Sequence, residues 1–261
     1  MDISVELLTM LFFVAAIAGW IDAIAGGGGL ITMPALLAVG VPPAQAIATN
    51  KLQGSFGSFS STLYFIRSGL VSLREMRLAI LCTFIGAVCG AGCVQLVDAS
   101  ILTSLIPLLL LGISAYFLLV PQPVSSSGEK SVAISEAVFA LCIGTCVGFY
   151  DGFFGPGTGA IFAIAFVTLM RFSLVEATAR TKVLNFTSNI AALIFFIIAG
   201  LPIWKVGLVM AAGQFLGART GAKIVISKGQ KWIRPLVVTM CILMALKLLW
   251  EQHQQWLLSM L

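Results

Sequence analysis

Long, uniformly apolar runs dominate the chain, broken by short polar or glycine-rich stretches. Crossing the hydrocarbon of a membrane takes about 20 apolar residues as a helix. The runs predict eight full transmembrane helices, over 5–25, 44–67, 76–97, 101–120, 132–154, 175–199, 204–226 and 233–256. Two further apolar segments, 30–40 and 160–171, are too short to span and are predicted to be half-helices or re-entrant arms.

The second half of the pattern repeats the first. A constant offset of 131 residues pairs Lys51 with Lys182 and Gly86-Ala87 with Gly217-Ala218, while an offset of 129 pairs Asp22 with Asp151. An offset that holds across several helices predicts two structural repeats, 1–120 and 132–261. The polar stretch 121–131 is the predicted linker between them.

The charges of the loops indicate how the repeats are oriented. Arginines cluster at 67–77 and basic residues cluster again at 223–234, and cytoplasmic loops carry such an excess. These constraints place the linker in the cytoplasm and both termini outside, so the repeats have opposite orientations. We therefore expect an all-α polytopic membrane protein built from two inverted-topology repeats.

Composition agrees with a membrane protein and excludes other classes. Hydrophobic residues make up 59% of the chain and charged residues 10%, with a mean hydropathy of +1.07. The net charge of +5 lies in short loops, so nucleic acid is not an expected partner. The first run has no basic residue before it, and we interpret it as a retained helix rather than a signal peptide.

A glycine cluster follows an acidic residue at the same place in each half. Four consecutive glycines in a membrane helix cost up to about 1 kcal/mol each relative to alanine, so they predict a break in the helix. A helix that restarts after the break has free amides and a positive dipole end, which suits an anion. A tight turn between packed helices is the alternative. The residues concerned are Gly26, Gly27, Gly28 and Gly29, then Gly155, Gly157, Thr158 (a hydroxyl donor) and Gly159.

Each glycine cluster is followed by a polar stretch inside an apolar helix. A lysine at membrane depth costs about 2.5–3.5 kcal/mol on insertion scales, which makes two equivalent lysines candidates for function. A lysine near a helix end that reaches water with its amine is the alternative. The predicted substrate-binding side chains are Asn50, Lys51 and Gln53 in the first half and Lys182, Asn185 and Asn189 in the second.

The two intramembrane acids, Asp22 and Asp151, have three open roles. Either could pair with Lys51 or Lys182 and hold the site when substrate is absent. Either could instead titrate and couple transport to protons. An acid at this position could also cap the short helix that follows.

No enzyme, metal site or cofactor is expected. The sequence shows no nucleophile with a neighbouring base, and His253 is the only histidine. The spaced glycines Gly86/Gly90 and Gly217/Gly221 predict close helix packing within the fold, with a contact between protomers as the alternative. The chain is expected to be a monomer or a homodimer.

Three motifs carry a resemblance to a known family. They are Asp22-Ala23-Ile24-Ala25-Gly26-Gly27-Gly28-Gly29, Ala48-Thr49-Asn50-Lys51-Leu52-Gln53 and Gly148-Phe149-Tyr150-Asp151-Gly152-Phe153-Phe154-Gly155-Pro156-Gly157-Thr158-Gly159, and Gly213-Gln214-Phe215-Leu216-Gly217-Ala218-Arg219 fits too. With them the chain resembles the sulfite exporter TauE/SafE family over nearly its whole length. The resemblance implies a multi-pass carrier of the bacterial inner membrane for small sulfur-containing anions.

The expected function is secondary transport of a small anion, a sulfur oxyanion or organosulfonate similar to sulfite or sulfoacetate, by alternating access. An anion channel, or a carrier for another small organic acid, remains the alternative. Besides the lipid bilayer, the predicted partners are the anion and protons as a coupling ion.

Overall fold

The computed structural model describes residues 4–98, 101 and 134–228, and the regular structure in these ranges is helical. The eight helices bounded there are α1 Val5–Ala25, α2 Gly29–Ala38, α3 Pro43–Arg67, α4 Arg77–Gln95, α5 Glu136–Phe153, α6 Thr158–Leu169, α7 Leu174–Ile198 and α8 Trp204–Lys228. Their bounds agree with the sequence prediction. The predicted helices 101–120 and 233–256 and the linker 121–131 lie essentially outside the described residues, as does the C-terminus.

Helix ends follow local chemistry. The hydroxyl of Ser4 accepts the amide of Leu7 at the start of α1, and α3 begins directly at Pro43, whose missing N–H costs nothing there. Ser173 and Glu176 bond reciprocally in a capping box at the start of α7. These signals explain why the polar interruptions in the sequence define the helices so closely.

Four helices of the described part are long and apolar enough to cross a membrane, namely α1, α4, α5 and α7. Helices α3 and α8 have 25 residues each but are not among these four candidate membrane spans. Helices α2 and α6 correspond to the two short segments predicted from the sequence. In α3 the reason is a row of buried polar side chains, Ser55, Ser58, Ser60, Ser61 and Thr62. One face of this helix is therefore polar and packed against protein, while Phe56 and Phe59 on its other side are exposed.

The spaced glycines pack α4 on α5 and α8 on α1, with α3 and α7 in contact between these pairs. A β-carbon at Gly90 would overlap the carbonyl oxygen of Phe149 in α5. A β-carbon at Gly217 would overlap that of Ala16 in α1. The expectation of close packing within the fold is confirmed for the described helices.

Equivalent positions of α3 and α7 contact the segments that precede α8 and α4. Arg180 of α7 forms an ion pair with Glu75 before α4, at 3.2 Å between Nη2 and Oε2. Thr49, which the offset of 131 pairs with Arg180, accepts the amide of Ile203 before α8 at 3.0 Å. The equivalent helix position therefore contacts the equivalent loop in both cases. The contact is an ion pair for Arg180 and a neutral hydrogen bond for Thr49.

Candidate functional site

The first glycine cluster breaks the chain between α1 and α2. Gly26 has φ of +78°, a conformation that favours glycine, and ends α1. Asp22 Oδ1 then accepts the amide of Gly28 at 3.1 Å, so this carboxylate caps the break. The expectation that the first amides of α2 are free is contradicted for Leu30 and Ile31, which donate to the carbonyls of Gly27 and Gly28.

The second cluster forms a similar break between α5 and α6. Gly155 and Gly157 have φ of +101° and +86°, and the hydroxyl of Tyr150 donates to the carbonyl of Pro156 at 2.6 Å. Thr158, predicted as a donor to the anion, instead donates its hydroxyl to the carbonyl of Gly155 at 2.6 Å. The loop is therefore held by bonds of its own, independent of any ligand.

The two breaks meet in the interior. A β-carbon on Gly26 would overlap the backbone of Gly159, and one on Gly29 would lie 3.0 Å from Cα of Pro156. Only residues without a side chain allow this approach. The glycines therefore bring the start of α2 against the start of α6, as well as turning the chain.

Lys182 of α7 is fully buried and binds Asp22 of α1. Its Nζ lies 2.9 Å from Asp22 Oδ2 and also donates to the backbone carbonyl of Asp22. Since Oδ1 accepts from Gly28, both carboxylate oxygens of Asp22 have a donor. This acid acts as cap and ion-pair partner at once, two roles that the sequence left open.

Lys51 of α3 is also fully buried and pairs with Asp151 of α5. Its Nζ lies 2.9 Å from Asp151 Oδ1, and the two side chains are 1% and 4% exposed. Asp151 Oδ2 has no hydrogen-bond partner among the described residues. Each acid thus pairs with the lysine of the other half, which the spacing alone did not determine.

Amide side chains complete the polar interior. Asn50 Oδ1 accepts from the hydroxyl of Thr32 at 2.6 Å and from the amide of Gln53 at 2.9 Å. On α7, Asn189 donates to the carbonyl of Asn185 at 2.7 Å. The predicted polar faces of α3 and α7 are both directed into the protein.

A cavity of about 30 Å³, counted as the space open to the centre of a water molecule, lies among these groups. That is room for about one or two waters. Its lining is polar and comes from both halves: Asp22, Gly26, Gly29, Asn50, Lys51, Gly54, Asp151, Gly155, Gly157, Thr158, Gly159, Asn185, Asn189 and Gln214.

Most of the predicted site residues meet at this cavity, but not all. Gly27, Gly28, Gln53 and Lys182 do not line it. Sequence reasoning missed Gly54 and Gln214, although Gln214 belongs to a motif that carried the family resemblance. A glutamine in an apolar helix, here 4% exposed, was the available signal.

The charges at the site cancel, since two lysines face two aspartates. Within the described ranges no group of three His, Cys, Asp or Glu side chains is arranged to hold a metal ion. Short broken helices that meet around buried, reciprocal ion pairs in an apolar bundle are typical of membrane transporters.

The comparison with known proteins also indicates a membrane transporter and identifies its family. The family described as Sulfite exporter TauE/SafE matches residues 11–248, and the chain therefore belongs to that family of membrane transporters. It is similar to "Probable membrane transporter protein YfcA" of Escherichia coli, with 52% identity over 99% of this chain and 96% of that one. No solved structure matches the chain.

More distant relatives also align along nearly their full length. A "Probable membrane transporter protein" of Haemophilus influenzae is 47% identical over 97% of this chain and 98% of its own. "Probable membrane transporter protein YunE" of Bacillus subtilis is 24% identical over 93% and 97%. The names of all three relatives describe them as probable membrane transporters.

Proposed function

We propose that this protein is a secondary carrier for a small anion, with a sulfur oxyanion or organosulfonate as its substrate. The single observation that carries the proposal is the cavity where both glycine breaks, Lys51 and the amides of Asn50 and Asn185 meet. Buried cations and amides at membrane depth are costly, and a substrate that uses them is the usual reason for keeping them. The family description supplies the sulfur chemistry.

Alternating access by two inverted halves is part of the proposal. It is supported by contacts that recur at the sequence offsets: Gly86 lies against Thr145 and Phe149, and Gly217 lies against Ala16 and Trp20. The two ion pairs, Lys51–Asp151 and Lys182–Asp22, are likewise related by the sequence offsets. Two equivalent arrangements related by an approximate twofold axis would let the same site open to one side and then the other.

The size of the cavity favours a carrier over an open channel. About 30 Å³ of water-accessible space beside the fully buried Lys51 is a narrow site among the described residues. A carrier passes through such a state in each cycle, whereas a conducting channel requires a continuous wet path. We place the carrier in the bacterial inner membrane with both termini in the periplasm, on the basis of the loop charges.

Two measurements test this function. Purified protein is screened by thermal shift against sulfite, sulfoacetate, thiosulfate, taurine and short carboxylates, and a ligand stabilises by mass action. The best ligand is then followed in liposomes, where a carrier gives saturable uptake and counterflow. Stabilisation by no anion, or flux without saturation or counterflow, would contradict the proposal.

The site assignment has a matched control. Lys51→Met is expected to abolish counterflow because it removes the cation that lines the cavity. Lys205→Met, at an exposed position at the start of α8, is expected to retain it. Full counterflow with Lys51→Met in well-folded protein would show that the anion binds elsewhere.

A further inference from the structure

We propose that the anion takes the place of Asp151 on Lys51, and that the released Asp151 carboxylate takes up a proton, so that each anion binds together with one proton. The inference rests on the proposed function and specifies the coupling ion for the same site. The Asp22–Lys182 pair stays closed throughout. Three features of the described residues lead to this assignment.

The first feature is an asymmetry between two ion pairs of the same kind. Asp22 holds donors on both carboxylate oxygens and on its backbone carbonyl. Among the described residues Asp151 has a single charged contact, to Lys51, and its Oδ2 accepts no hydrogen bond from the protein. The Asp151 carboxylate is therefore held by fewer protein donors than the Asp22 carboxylate.

The second feature is access to the cavity. Lys51 and Asp151 both line it, whereas Lys182 does not. Among the described residues Lys51 Nζ makes no hydrogen bond beyond its ionic contact with Asp151. Asn50 also lines the cavity and adds a side-chain amide next to Lys51. An entering anion therefore meets Lys51 as its first available cation.

The third feature is the fate of Asp151 once Lys51 has turned to the anion. The Asp151 residue is 3% exposed, and an ionised carboxylate left unpaired at that depth is far less favourable than the neutral acid. The charged side chains that line the cavity are Asp22 of α1, Lys51 of α3 and Asp151 itself, with Lys182 of α7 bound behind Asp22. Helices α4 and α6 add no charge to the lining, so within the described ranges no second cation lines the cavity beside Asp151.

The exchange conserves charge and atoms. Before binding, the Lys51 ammonium faces the Asp151 carboxylate. Afterwards the ammonium faces the anion, and the proton taken from water forms an O–H bond on Asp151. For a monoanion, the proton keeps the interior neutral in both states, and for a dianion such as sulfoacetate it halves the net charge brought in, because neutral Asp151 replaces the carboxylate.

Isothermal titration of the purified full-length protein with sulfoacetate measures this proton. Both acid groups of sulfoacetate are ionised at neutral pH, so any proton taken up comes to the protein. The titration is run in Tris and in imidazole, whose ionisation enthalpies differ and which are not sulfonates. The difference in binding heat is expected to correspond to about one proton per anion.

Two isosteric variants locate the proton. Asp151→Asn is expected to bind sulfoacetate with proton uptake reduced to about zero, while Glu136→Gln, at an exposed acid in the first turn of the same helix, keeps about one. Binding by the unmodified protein without proton uptake would overturn the inference and leave the anion carrier intact. Undiminished uptake by Asp151→Asn would overturn it as well. Absence of any binding, with sulfoacetate and with thiosulfate, would contradict the proposed function itself.

Discussion

Gly155 shows how closely single residues of the site are fitted. Its φ is +101°, and a β-carbon would lie 2.7 Å from Lys51 Nζ and 3.1 Å from Asp151 Oδ1. We predict that Gly155→Ala lowers the unfolding midpoint in detergent and abolishes counterflow. The backbone strain alone is about 1–3 kcal/mol, and the methyl group separates the ion pair as well.

Gly200 provides the control for that substitution. Its φ is +69°, but no atom lies within 4 Å of a β-carbon placed there. Gly200→Ala therefore carries only the left-handed strain, about 1–2 kcal/mol, and is expected to retain counterflow. Equal loss of counterflow in both variants would mean that strain, rather than contact with Lys51, is responsible.

The Asp22–Lys182 pair is predicted to act on stability. Lys182→Met leaves a buried carboxylate without its cation, a loss of about 3–5 kcal/mol for a pair of this kind. Combining it with Asp22→Asn removes the stranded charge, so the double variant should have a higher unfolding midpoint than Lys182→Met alone. A double variant less stable than Lys182→Met would show that the two side chains are not coupled.

At the residue scale, the sequence predicted which charged side chains lie in the interior better than it predicted how they pair. Lys51 and Lys182 were recognisable because a lysine inside an apolar run is expensive. Their partners were not, because each acid precedes the lysine of its own half by a similar spacing, whereas the ion pairs join each acid to the lysine of the other half, which only the tertiary structure decides. Gln214 was missed because one amide in an apolar helix is a weak signal.

At the scale of elements, helix α4 offers a direct test of close packing. A β-carbon on Gly90 would overlap the backbone of Phe149 in α5, whereas one on Gly92 would meet only the ring of Phe195 at 3.5 Å. Both substitutions to alanine gain about 1 kcal/mol of helix propensity. We predict that Gly90→Ala is destabilised, because overpacking costs about 1–3 kcal/mol.

Gly92→Ala should have an unfolding midpoint equal to or above that of the unmodified protein. The two variants differ by two positions in one helix, so propensity cancels in the comparison of their midpoints. If Gly90→Ala were as stable as Gly92→Ala, the α4–α5 contact would not be as close as described.

Helix limits were predictable because prolines, glycines and capping residues lie at the ends. Pro43 begins α3, and Gly26 ends α1. The π-helical turn Phe139–Gly144 within α5 was not predicted. Its sequence is as apolar as its surroundings, and the widened turn depends on packing against neighbouring helices rather than on a local signal.

At the scale of the whole molecule, the orientation of the halves is testable at one pair of equivalent positions. Leu73 lies before α4 and Trp204 is the first residue of α8; the two are related by the offset of 131 and are 47% and 49% exposed. We predict that Trp204→Cys, in a background without native cysteines, reacts with an impermeant maleimide in intact cells. Leu73→Cys should react only after permeabilisation.

Labelling of both positions from the same side would contradict inverted topology. The loop charges support this prediction from sequence, because the cytoplasmic loops of membrane proteins carry an excess of basic residues. They could not give the interior arrangement, in which the two glycine breaks touch at Gly26 and Gly159. That contact joins segments 133 positions apart, and nothing local to either segment specifies it.

The cancelled charges of the two ion pairs have an electrical consequence. Membrane voltage does work only on net charge that crosses the field, about 2.3 kcal/mol per charge for each 100 mV. Two lysines and two aspartates that move together carry none. For the proposed carrier we therefore expect the empty site to return at a rate independent of membrane voltage, so that the concentrations on either side set the direction of transport.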